Sequence, residues 1–416
     1  MFLNNYLKNR TIIHNFVWRV LQIFGKQGIT FLILFLCAKL LTPYDFGIYN
    51  YTLAAIFFLI IFGDFGISTA TSKYVAEFNT TDKEGLKLIL FNSLIPILLF
   101  GTCISLVVIV FGRLFFGDDK YKFVLYVLPL IFLMPISSLL DGIFRGLKKF
   151  KILSIASLLI GLSSTVFVYI LINKYGLIGA LISQNIYYTL LVVVLLVIYR
   201  KLYFKFSISL IKKISTYAFL VGVANIGYFL YTKVDLIMLG KFKYVIETGY
   251  YGLISTLFSL SLMLFAILGH VIAPNNIELK IHNKNEQIKR NVKKFIFILP
   301  VIGVFMSLIL YLLVPLIIRY FLPNYDNPVF FNIFHIFLFV IPIAVLEASL
   351  SNGFITPLGH VSILTKAIII GGVLNIVFNF IFLHYFGYIG IILSTVIVHN
   401  VINITKIYIF WKKINV

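Results

Sequence analysis

Few residues of this chain could do chemistry, and most of them are charges set in apolar surroundings. In the stretch FVWRVLQIFGKQGITFLILFLCAKLL, residues 16–41, Arg19 and Lys26 stand where a membrane-spanning helix should be apolar. Each costs about 3 kcal/mol near a helix centre, so an anion or a polar cavity must offset it. Seven residues turn a helix through about 700°, which puts both cations on one face about 10.5 Å apart. That face suits a cavity better than lipid. There Arg19 offers a planar fork and Lys26 a mobile point charge for an anionic group. Arg19, only about two turns into the helix, also fits a cation that snorkels back to the water interface; Lys26 lies deeper.

The carboxylates inside apolar runs are the complementary set. Asp64, in GDFGIS, is flanked by Gly63 and Gly66, which permit close helix approach or local unwinding. Withdrawn from water, such a carboxylate can carry a coupling ion or answer a first-helix cation. Glu347 has no cation near it in sequence and is the second coupling candidate. Lys233 and Asp235 point about 200° apart on a helix and do not pair locally. They are candidate substrate contacts, or Asp235 pairs with a cation on another helix. Asp141 and Arg145, four apart, are spaced for an intrahelical ion pair. His270, His335 and His399 read as hydrogen-bonded packing residues. No Ser-His-Asp set and no metal-ligand spacing such as HExxH or paired CxxC occurs, so neither an enzyme nor a metal or other cofactor is expected.

The elements that must position these charges are membrane helices. The chain has 416 residues, 61% hydrophobic and only 12% charged, which excludes a water-soluble fold. Twelve apolar runs are long enough to span, among them 46–72, 152–173, 177–198, 214–240, 329–356, 361–383 and 389–411. Residues 1–11 are polar and the first run is too long for a signal's apolar core, so the first span is expected to stay. If the N-terminus is cytoplasmic, the inside segments carry 24 of the 35 Lys and Arg and the outside segments 7. This asymmetry places both termini in the cytoplasm. It also assigns the net charge of +21 to loops facing anionic lipid rather than to nucleic acid. The basic segment 278–294 is expected to be a connector along the cytoplasmic leaflet. Cys37 and Cys103 lie in separate runs and indicate no disulfide.

The chain repeats itself. At an offset of 211, residues 141–183 align without a gap to 352–394, sharing Gly142/Gly353, Gly161/Gly372, Gly176/Gly387 and Gly179/Gly390. Nearer the starts of the halves, Asp45-Phe46-Gly47-Ile48-Tyr49 echoes Glu247-Thr248-Gly249-Tyr250-Tyr251 at an offset of 202. Two six-span repeats follow, 1–206 and 207–416. Because six is even, both enter the membrane from the same side and can enclose a central cavity that opens to either face. The expected fold is therefore an all-α integral membrane protein, twelve helices in two parallel six-helix bundles around a cavity.

Three stretches carry a family resemblance: LLTPYDFGIYNYT, FGDFGISTATSKYVAEF, and SLLDGIFRGLKKFKILSIASLLIG followed by NKYGLIGALIS. Through them the chain resembles the Wzx-like oligosaccharide flippases, the polysaccharide branch of the multidrug/oligosaccharidyl-lipid/polysaccharide exporter superfamily. The resemblance implies movement of an undecaprenyl-diphosphate-linked oligosaccharide from the cytoplasmic to the outer leaflet of the inner membrane. The expected partners are membrane lipids, a polysaccharide polymerase and glycosyltransferases. WRVLQIFGK is also similar to the start of lipid II flippases, whose first-span cations line a cavity. On that similarity Arg19 is the matched position and Lys26 an approximate one, although lipid II flippases usually carry two further spans. The alternatives are a lipid II flippase and an ion-driven exporter of organic cations; the latter should carry carboxylates on its first cavity helix, and the first span has none.

Overall fold

The computed structural model describes the backbone of residues 2–200 and 203–415 and the side chains of residues 18, 20–23, 25–200 and 203–414. It is helical almost throughout, with no strand among the described residues. In lipid a helix satisfies its own backbone donors and acceptors, which is why long apolar runs take this form. Fourteen α-helices follow in order: α1 (Phe2–Leu40), α2 (Pro43–Asp64), α3 (Ile67–Thr81), α4 (Lys83–Phe116), α5 (Asp118–Val127), α6 (Leu130–Gly146), α7 (Phe150–Tyr199), α8 (Ile208–Thr232), α9 (Val234–Lys241), α10 (Val245–Ile281), α11 (Asn285–Phe321), α12 (Pro328–Leu338), α13 (Ile341–Leu350) and α14 (Val361–Asn415). A π-helical turn, Ser351–Ile355, extends α13.

Among the described residues nine helices are long and apolar enough to cross a membrane, and α12 with α13 forms a tenth span bent by 48°. Two of the nine are double. Gly176 (φ 55°, ψ −132°) breaks α7, and Gly387 (φ 58°, ψ −142°) breaks α14. Splitting each makes the structure compatible with twelve spans. Whole faces of apolar side chains, such as Leu99, Val110 and Leu114 on α4 and Phe305, Leu312 and Leu316 on α11, are exposed as lipid-facing helices require.

The breaks fall at matched positions of the sequence repeat. Gly176 and Gly387 are 211 residues apart and share a backbone conformation that side-chain-bearing residues essentially never adopt. Three residues on, a Cβ at Gly179 would stand 2.0 Å from the Leu171 carbonyl oxygen, and one at Gly390 would stand 2.0 Å from that of Phe382, again 211 residues later. Gly390→Ala is therefore expected to destabilise by about 1–3 kcal/mol through overpacking. Gly28→Ala, where a Cβ meets nothing within 4 Å, should leave the thermal midpoint of the detergent-solubilised protein unchanged or raised.

The chain divides into two compact units, Met1–Leu41 with Thr52–Ile226, and Thr42–Tyr51 with Gly227–Val416. In the first, α3, α4, α6, α7 and α8 share a core around Phe78, Ile89, Leu140, Phe144, Leu195 and Ile214. In the second, the two echo sequences meet: a Cβ at Gly47 would lie 1.8 Å from the Val245 carbonyl oxygen, and one at Gly249 would lie 2.9 Å from that of Pro43. Small residues facing each other let the start of α2 and the start of α10 cross in backbone contact.

Candidate functional site

In the first unit α1 packs along α7. Gly25 and Gly161 make the close approaches, to Leu158 and Ile29, and the Ser154 hydroxyl donates to the Trp18 carbonyl at 2.6 Å. This fixes the rotation of α1 and turns Gln22, Lys26 and Gln27 into a cavity of about 380 Å³. The other walls come from α6 (Ser137, Ser138, Asp141, Arg145) and α7 (Ser157, Tyr187, Tyr188). Asp141 pairs with Arg145 at 2.7 Å, as the four-residue spacing predicts, and accepts a 2.9 Å hydrogen bond from the Gln22 amide. Lys26 has no ion-pair partner among the described residues. Lys26 thus lines a cavity of mixed polar and apolar walls whose carboxylate is already engaged. Tyr187 and Tyr188 add a pair of rings, 4.9 Å apart and edge to face. Gln22 had a legible signal, since it stands four residues before Lys26 and so shares its face. The side chain of Arg19 lies outside the described residues.

Asp64 sits at a break in what the sequence presents as one span, 46–72. α2 ends there, Phe65 and Gly66 take φ of 38° and 83°, and α3 begins at Ile67. A Cβ at Gly66 would stand 2.5 Å from the Ala218 carbonyl oxygen, so glycine is needed for both conformation and room. The Asp64 carboxylate accepts from the Ser68 backbone at 3.0 Å and also from the Ser68 hydroxyl, capping the new helix. Among the described residues it forms no ion pair; the two neighbouring glycines were the visible trace of the unwinding.

In the second unit Lys233 occupies the break between α8 and α9, partly buried and without an ion-pair partner among the described residues. Asp235 is fully buried and is answered by neutral donors rather than a cation: the Tyr251 hydroxyl at 2.5 Å and the amides of Asn375 and Asn379 at 2.9 and 2.6 Å. The Thr395 hydroxyl lies beside it. The amide oxygens of Asn375 and Asn379 are buried without a hydrogen-bond partner. The Asn375 amide also donates to the Leu230 carbonyl at 3.2 Å, which fixes its nitrogen toward the carboxylate. Among the described residues no group of three His, Cys, Asp or Glu side chains could hold a metal.

Glu347 is engaged by a cation 59 residues further on. Lys406 Nζ lies 2.5 Å from Oε1, and the Ser351 hydroxyl donates at 2.7 Å. Lys406 falls both in the apolar run 389–411 and in 406–416, an inside segment of the cation count; the structure buries it inside the second unit, because α14 continues as a helix to Asn415. His399, two turns before Lys406, stacks on Tyr231 with ring centroids 4.2 Å apart and bonds the Tyr231 carbonyl at 3.0 Å. His335 lies among the rings of Tyr311, Phe331 and Phe334. Both are packing histidines. Cys37 is buried and Cys103 exposed, with no bond between them.

Comparison with known proteins matches this architecture. Lipid II flippase MurJ, in an inward closed conformation, aligns with a TM-score of 0.72 and 18% identity over 96% of this chain and 89% of that one. A multidrug resistance MATE family transporter of the MOP superfamily, inward-facing, aligns with a TM-score of 0.77 and 16% identity over 95% of this chain and 98% of that one. The MATE multidrug transporter DinF-BH aligns with a TM-score of 0.69 and 14% identity over 97% of this chain and 95% of that one. No curated protein sequence matches the chain. At these identities the likeness is one of fold alone: an all-helical, multi-pass architecture with two helical bundles. The sequence profile of the family described as Polysaccharide biosynthesis protein matches residues 12–280, most of the chain. The chain therefore belongs to the polysaccharide biosynthesis protein family.

Proposed function

We propose that this protein flips an undecaprenyl-diphosphate-linked oligosaccharide from the cytoplasmic to the outer leaflet of the inner membrane, by alternating access of the repeat halves 1–206 and 207–416. The observation that carries the reading is Lys26, a cation without an ion-pair partner among the described residues that lines a cavity in a member of a polysaccharide biosynthesis family. A diphosphate is the anion that such a lipid-linked sugar would bring, and Lys26, with Arg19 on the same face, would meet it. The amides and hydroxyls of Gln22, Gln27, Ser137 and Ser138 offer the donors and acceptors a sugar requires. Lys233, at a helix break, is a second candidate for the anionic headgroup. The enclosure of Asp235 by three neutral donors favours a structural, hydrogen-bonded carboxylate over direct substrate contact. The polymerase, the glycosyltransferases and the orientation with both termini cytoplasmic belong to the same proposal.

In vesicles containing the purified protein, a labelled undecaprenyl-diphosphate oligosaccharide should become accessible on the far leaflet faster than in protein-free vesicles. Equal rates would overturn the reading. Faster movement of lipid II, or of an organic cation, in the same assay would favour the lipid II flippase or the multidrug exporter instead. The cationic cavity helix argues against the exporter.

If Asp64 or Glu347 carries a coupling proton, transport should depend on pH in the wild type, and the dependence should be lost in Asp64→Asn or in Glu347→Gln. Unchanged pH dependence in both variants would remove proton coupling through these groups.

A further inference from the structure

A second gathering of cations lies far along the chain from Lys26. Lys280 lies in the last turn of α10, His360 closes the turn 356–360, Lys413 lies in the last turn of α14 and Asn285 opens α11; together they line a cavity of about 180 Å³. Among the described residues no carboxylate lines it. The arrangement is built rather than incidental. Lys280 Nζ donates to the Leu358 carbonyl at 2.7 Å, which holds the turn where Gly359 has φ of 85°, and the His360 ring packs edge-on against Phe410. Like charges brought together without a counter-ion raise the free energy of the empty site, and a bound anion offsets that cost. The first backbone N–H groups of α11 add donors, since Lys284 before them provides no side-chain cap.

Beside this cavity the first turns of α11 present Lys289, Arg290 and Lys293 next to Trp411, the mixture of cations and an indole found at the level of lipid headgroups. The one acidic group there, Glu286, is paired with Lys289 at 2.9 Å. We propose that the cavity formed by Lys280, His360, Lys413 and Asn285 binds a phosphoryl group, that of an anionic phospholipid or of a soluble phosphate ester. The site is distinct from the Lys26 cavity and does not rest on the transport reading. Occupancy ties the ends of α10, α11 and α14 to one ligand.

The state of His360 supplies a signature. Burial, Lys413 and Lys280 hold its pKa below the usual histidine value, so the empty site has a neutral ring at neutral pH. The charged groups facing it are Lys280 from α10 and Lys413 from α14; α11 contributes Asn285, and the turn itself contributes none. An anion raises that pKa, binding takes up a proton, and affinity should strengthen as pH falls.

The test measures equilibrium binding of phosphatidylglycerol, and separately of inorganic phosphate, to the full-length protein in neutral detergent by native mass spectrometry. Lys413→Gln should weaken phosphatidylglycerol binding about tenfold, the loss of one charge-assisted contact. The control variant Lys174→Gln, in the other unit and outside both groups of cations, should bind as wild type. His360→Gln should abolish the strengthening at low pH while the protein stays folded. Lys280→Gln is the second variant, read the same way, should Lys413→Gln fail to fold. Inorganic phosphate bound with the same sensitivity to Lys413, without preference for the lipid, supports the pocket and names a soluble ester as its source. Undiminished binding of both ligands by the Lys413 and Lys280 variants overturns the proposal.

Discussion

Lys26→Ala is expected to slow headgroup translocation by roughly 30-fold, the loss of about 2 kcal/mol from a charge-assisted contact to a diphosphate. The same substitution should leave membrane insertion intact and the folded protein as stable as before or more so, because it removes an unpaired cation from an apolar helix at a site that offers it no free carboxylate. Opposite signs for transport and stability separate a binding role from a structural one. Lys26→Arg should keep most of the activity, since the charge stays on the same face of α1. In the vesicle assay, wild-type rates for Lys26→Ala would remove the diphosphate contact from the proposal. A variant that both inserts poorly and transports poorly would show that Lys26 serves the fold instead.

The largest effect on stability is expected at Lys406. Truncation to Ala leaves the partly buried Glu347 with only the Ser351 hydroxyl as a donor; breaking a fully buried pair from one side costs about 3–5 kcal/mol, and partial exposure of the carboxylate puts this one at about 2–3 kcal/mol. Removing both charges together, as Glu347→Gln with Lys406→Met, should restore most of that loss, because neither group is then left ionised without a partner. Thermal unfolding in detergent, followed through a complete double-mutant cycle, reads this directly. Additive single and double effects would mean that the two residues do not act as a pair.

The particular elements show which kinds of information a sequence carries. The ion pair of Asp141 with Arg145 was visible because four residues on a helix are neighbours by geometry alone. The repeat was visible in four glycines, two of which proved to mark matched helix breaks; one of these breaks and its counterpart are each followed three residues on by a matched contact with a carbonyl oxygen. The break at Asp64 was only half visible. Its glycines were evident, but the run 46–72 reads as one apolar segment, and hydropathy is blind to a change of backbone direction. Lys406 was ambiguous because it lies at the end of the run 389–411 and was also counted with the cations of 406–416, and only the helix that buries it decides between the two.

The sequence by itself determined that lipid is the solvent, that the chain is a series of long helices, and that it is written twice. Those properties are local or periodic: each span satisfies its own backbone, and each half repeats the same glycines. Only the tertiary structure decided which charges have partners. Glu347 finds Lys406 across 59 residues, and Asp235 finds Asn375 and Asn379 across 140 and 144, whereas Lys26 finds no carboxylate among the described residues and is left facing a cavity. Spacing along the chain cannot report these outcomes, because they depend on how far each helix is rotated about its axis, and that rotation is set by the packing of small residues between helices.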